Sequence, residues 1–152
     1  MIKNQKLFIR IVIILSLIIA ISSFIIYRNF LVGGIVKATI GYPFKIKIGQ
    51  MALIDDKMIL KFLEVSEDSR CPSDVWCFWE GEARVIVNVI KDNKNLGNFT
   101  LIIRGLKPNN LSSKVFDGFS IKLMDLSPYP KTDKKILASD YVATFLITKE
   151  KV

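Results

Sequence analysis

Ala83-Arg84-Val85-Ile86-Val87-Asn88-Val89-Ile90 is the stretch on which the fold turns. Successive side chains on a strand point to opposite faces, so Ala83, Val85, Val87 and Val89 form one wholly apolar face. Asp92-Asn93-Lys94-Asn95 supplies a turn, and Asn98 to Arg104 returns, which together read as a β-hairpin. Upstream, Phe44-Lys45-Ile46-Lys47-Ile48 alternates strictly and stops at Gly49. Residues 51–54 and Met58 to Val65 are further short runs, parted by Asp55-Asp56-Lys57. Downstream, a polar loop runs from Gly105 to Lys114, and Asp117-Gly118 turns into a run from Phe119 to Leu126. Ser127-Pro128-Tyr129-Pro130-Lys131 is unsuited to a central strand, because its prolines lack ladder donors. Tyr141 to Thr148 closes the set. Seven to eight short strands in about 110 residues predict an all-β domain, an antiparallel β-sandwich of immunoglobulin-like size. A small β-barrel is the alternative. The distant cysteine pair that joins the sheets of immunoglobulin domains is absent.

The chain ahead of this domain has a different character. Phe8 to Tyr27 contains one charge, Arg10, and no 3.6-residue apolar stripe. As a helix it reaches about 30 Å, the thickness of a bilayer's hydrocarbon core. The expected organisation is a basic leader and transmembrane signal anchor over 1–28, a juxtamembrane connector over 29–41, and an extracytoplasmic domain over 42–152. Arg10 snorkels, and Tyr27 and Arg28 suit the far interface. Lys3, Lys6 and Arg10 favour a cytoplasmic N-terminus. The alternative is a signal peptide cleaved at Ala20-Ile21-Ser22, giving a secreted protein. The apolar run argues against cleavage, since it continues through Phe24, Ile25 and Ile26.

Residues 1–28 carry four cations and no acid, half of the net charge of +8 in the 152-residue chain. What remains is a mildly basic domain with interspersed acids, which gives no nucleic-acid signature. The chain has no histidine, so the commonest general base and metal ligand are missing.

Chemistry concentrates between Asp68 and Ala83, where both cysteines and both tryptophans lie. Outside the cytoplasm Cys71 and Cys77 have one intramolecular pairing, and a disulfide is the favoured reading. Closing this loop removes about 2.4 kcal/mol of unfolded-state entropy. A redox pair would take C-x-x-C spacing at a helix start. Two thiolates without histidine do not complete a zinc site, and the neighbouring acids follow no calcium-loop spacing, so no metal or cofactor is expected. Trp79, leading straight into the strong strand, is expected to be buried. For Trp76 burial and exposure both stand. Arg70 reads equally as an interface anchor or as the ion-pair partner of Asp68 or Asp74. Arg70, Trp76, Trp79 and Tyr129 are the candidate binding residues, and 66–82 is the expected contact surface.

The run R-C-P-x4-C-x-W-x-G-x-A, from Arg70 to Ala83, followed by a Val-rich strand, resembles a group of short bacterial and archaeal extracytoplasmic proteins, often with a lipoprotein leader. Pro128-Tyr129-Pro130 and Tyr141-Val142-Ala143-Thr144 extend the resemblance over roughly residues 44–148. This chain departs from the group at Trp76, where a smaller or different residue is usual, and it lacks the lipoprotein cysteine. The resemblance implies the disulfide and the location, and it implies no activity.

The expected function is a non-enzymatic binding or interaction module of the cell envelope, with an unknown envelope protein or ligand as partner. The alternatives are a β-sandwich peptidase inhibitor and a carboxylate-based envelope hydrolase.

Overall fold

The computed structural model describes residues 2–31, 34–105 and 108–150, with side chains at 10–25, 34–105 and 108–150. The chain divides into two units, residues 1–34 and 35–152. In the first, helix α1 covers Ile2–Leu31, and its described side chains, residues 10–25, are exposed throughout. Among the described residues, no helix is long and apolar enough to cross a membrane. The described side chains cover fewer than the roughly 20 residues that a span requires. The side chains of Lys3, Lys6, Tyr27 and Arg28, and the whole of Gly33, lie outside the described residues.

The second unit is mostly β and consists of two sheets, with no closed barrel. Its strands are β1 (Ile35–Ala38), β2 (Phe44–Lys47), β3 (Met51–Ile54), β4 (Met58–Asp68), β5 (Glu82–Lys91), β6 (Lys94–Arg104), β7 (Ser113–Phe116), β8 (Phe119–Ser127) and β9 (Val142–Lys149). One sheet has the order β1-β3-β4-β5-β6, and the other β2-β9-β8-β7. Ala83, Val85, Val87 and Val89 on β5 are fully buried, as their alternation requires. They share one core with Ile121, Leu123, Phe145 and Ile147 of the other sheet. Phe62 on β4 meets Phe145 on β9 edge-on at 6.1 Å, joining the two layers.

The sheets are not wholly antiparallel. Residues 35–38, read from sequence as connector, form β1, which pairs in parallel with β3 from Ile35↔Met51 to Ala38↔Ile54. An edge strand of four residues with one half-buried face carries little alternation, so its pattern looks like a linker. Likewise β7 begins inside the stretch read as the 105–114 loop.

The two ends of the domain differ. At one, the turns Asp55-Asp56, Asp92-Asn93 and Asp117-Gly118 place both central residues at positive φ. That is the backbone of the tight mirror-image turn, and it favours Asp, Asn and Gly. At the other end, β4, β6 and β8 finish, β5 and β9 begin, and the long loop 69–81 joins β4 to β5 within one sheet.

Candidate functional site

The loop is held by its buried stem. β4 ends at Asp68, and two positions on, Arg70 turns inward with only 3 % of its surface exposed. Its guanidinium donates to both Asp68 carboxylate oxygens, Nε to Oδ1 at 2.7 Å and Nη2 to Oδ2 at 2.6 Å. Nη1 donates to the Leu126 carbonyl at 2.6 Å and Nη2 to that of Pro128 at 3.1 Å, both at the end of β8. The group also lies 4.8 Å above the Tyr129 ring. The Tyr141 hydroxyl donates to Asp68 Oδ2 at 2.9 Å. The guanidinium thus ties the end of β4 to the end of β8 in the opposite sheet, and Asp68 ties it to Tyr141, just ahead of β9. Arg70 and the half-buried Tyr129, both candidate binding residues, are brought together here as a structural clasp. Of the two acids considered for Arg70, Asp68 is the partner.

Burial, and then the neighbouring Asp68, push the Tyr141 phenol up from 10.0 to about 12. Folding therefore favours the protonated phenol. The resulting stabilisation is complete below pH 10 and disappears as pH rises through 12. We expect wild-type protein to lose up to about 2–3 kcal/mol more than Tyr141→Phe across that window. Denaturation curves at pH 9.5 and 12 check this, and equal losses in both proteins would contradict the contact.

Beyond Arg70 the loop is stapled three ways. Cys71 and Cys77 form the expected disulfide, with Cα atoms 5.9 Å apart. The ladder of β4 and β5 continues outward through Ser69 N to Glu82 O at 2.8 Å and Cys71 N to Glu80 O at 3.0 Å. On the other side Ser73 N donates to Pro130 O at 2.9 Å, and Thr132 N and Oγ1 donate to the Asp74 carboxylate. The Thr132 hydroxyl holds the Asp74 carboxyl below the usual carboxylate range. Because these bonds also fix the loop, the disulfide is one restraint among several. Replacing both cysteines by serine should cost roughly 2 kcal/mol and leave the β-sheet circular dichroism unchanged. An unaltered denaturation midpoint would show that the bond adds nothing.

So restrained, the loop turns its largest side chains outward. Trp76 is 97 % exposed, Phe78 92 % and Trp79 78 %. The Phe78 and Trp79 rings meet edge-on at 5.4 Å. The expectation that Trp79 is buried against the sheet is corrected here. β5 begins only at Glu82, after Gly81 in the left-handed region, and the core below is already closed by Arg70, Tyr129 and Tyr141. The sequence does not single out Phe78 as a candidate. Nothing in its sequence neighbourhood separates it from a core residue.

Beside Trp79 lies an open depression of about 450 Å³, walled by Glu67, Glu80, Glu82 and Arg104. Its carboxylates are largely engaged. Glu82 receives Arg84 at 2.8 Å and Arg104 at 3.1 Å, and Glu67 receives Arg84 at 3.2 Å. Arg104, and then Arg84, hold the Glu82 carboxyl below its ordinary value. A general acid needs the opposite shift. Among the described residues, no group of three or more His, Cys, Asp or Glu side chains is placed to hold a metal.

Comparisons with protein-family models, with curated proteins and with solved structures found no match.

Proposed function

We propose that the chain is a membrane-tethered extracytoplasmic binding module, whose contact surface is the disulfide-closed loop from Cys71 to Glu80. The observation that carries this reading is the outward display of Trp76, Phe78 and Trp79 on a loop whose stem is rigid. Large exposed aromatics on a restrained backbone lose little conformational entropy on binding and remove much apolar area from water. A disulfide supports a site outside the reducing cytoplasm. The uncharged run from Ile11 to Tyr27 supports a helical tether. The ion-paired carboxylates beside Trp79 favour recognition over proton transfer.

Residues kept for contact contribute little to folding, whereas scaffold residues contribute much. The triple variant Trp76→Ala/Phe78→Ala/Trp79→Ala should therefore unfold within about 0.5 kcal/mol of wild type. A loss of roughly 3 kcal/mol or more, as for core aromatics, would return these rings to the scaffold and remove the basis of the reading.

A further inference from the structure

The depression beside Trp79 keeps hydrogen-bonding capacity that its ion pairs do not use. Glu82 at its centre is saturated, with Oε1 taking Arg84 and Oε2 taking Arg104. The groups around it are not. Arg104 spends Nε on Glu82, and its two Nη groups, on a half-exposed side chain, have no partner among the described residues. Glu67 receives Arg84 through Oε2, which leaves Oε1. Glu80 is exposed, and its carboxylate has no hydrogen bond or ion pair among the described residues. Glu80 Oε2 lies 2.8 Å from the point where a Cβ on Gly105 would stand, so the glycine leaves open the space that this carboxylate fills.

The walls thus offer both donors and acceptors, yet their charges nearly cancel, since three carboxylates meet two guanidiniums. An anionic ligand would face the carboxylates, and a cationic one would face Arg104. A hydroxyl group donates and accepts at once and suits both. Trp79 adds an apolar surface to the wall, and the Phe78 ring, at 83° to it, braces it. The anchoring pockets of protein partners are desolvated, whereas this depression is open and polar. Its volume, about 450 Å³, suits a small ligand rather than a protein face.

We infer that the ligand of the aromatic loop is a neutral saccharide, one pyranose ring of a glycan lying on Trp79 with its hydroxyls on Glu67, Glu80 and Arg104. The inference rests on the binding role proposed above and names the class of ligand. A pyranose has an apolar face of C–H bonds, whose slight positive charge meets the negative face of an indole. Its hydroxyls lie around the rim, where a planar carboxylate or guanidinium can engage two neighbours together.

Trp76 and Trp79 are the chain's two tryptophans, so intrinsic fluorescence reports on this loop alone. The full chain, in a zwitterionic detergent free of sugar, is titrated with neutral hexasaccharides of N-acetylglucosamine, glucose and mannose. Oligogalacturonate and oligolysine serve as charged probes. A saturable change with at least one neutral sugar is expected, with little dependence on salt. Trp79→Ala should weaken that binding about tenfold or more by calorimetry. Emission open to acrylamide but unmoved by every neutral sugar overturns the inference and leaves the displayed loop standing. A stronger response to either charged probe overturns it in favour of a charged ligand. Binding unchanged in Trp79→Ala overturns it by placing the sugar elsewhere. Emission closed to acrylamide removes the displayed loop, and the inference with it.

Discussion

Arg70→Met lowers the stability of the domain by roughly 3–5 kcal/mol, the cost of stripping one partner from a buried ion pair. The Arg70 and Asp68 side chains are 1 % and 7 % exposed. Without the guanidinium, the Asp68 carboxylate keeps the Tyr141 hydroxyl, the Arg70 backbone amide at 3.3 Å and almost no water. The carbonyls of Leu126 and Pro128 lose their donors, and an unsatisfied buried acceptor costs about 1–3 kcal/mol. Chemical denaturation measures the loss. The double variant Asp68→Asn/Arg70→Met removes both charges and should recover part of it, because replacing a whole buried pair is often nearly neutral. A change under about 1 kcal/mol in the single variant would mean that the clasp is not what closes this end of the sandwich.

Gly81→Ala should be almost as damaging. The residue sits at φ +65, and a Cβ there would lie 1.9 Å from the Ser69 carbonyl oxygen. Rotation of a flexible side chain does not relieve that clash, since both partners are backbone of the β4–β5 ladder. Left-handed strain and overpacking together amount to roughly 2–5 kcal/mol. The expected result is a loss of that size, with the disulfide still formed. An alanine variant as stable as wild type would contradict the close backbone crossing of Ser69 and Gly81, and with it the loop's exit into β5.

Much of the sandwich is readable along the chain because its strands alternate and its turns are chemically marked. The buried face of β5 follows from Ala83, Val85, Val87 and Val89, and Asp92-Asn93 and Asp117-Gly118 fall where positive φ is needed. β1 is not legible, because a four-residue edge strand joined in parallel leaves no hairpin and little periodicity. The site is legible in position but not in orientation. The density of Cys, Trp and acid between Asp68 and Ala83 marks the loop, and Asp68 and Arg70, two apart, share one face. Which aromatics it buries depends on what else fills the end of the core. That space goes to Arg70 and Tyr129, which come together only when β4 and β8 meet. Hydrophobicity alone assigns Trp79 to the interior, whereas the filled core places it outside.

The central claim, an oxidised domain held outside the cytoplasm by an uncleaved helix, is tested most directly by one intact mass. Native protein is taken from the membrane fraction and alkylated without reduction. The proposed function predicts the full-length mass with no alkyl label. A chain shortened near Ser22, or one carrying two labels on Cys71 and Cys77, would contradict it.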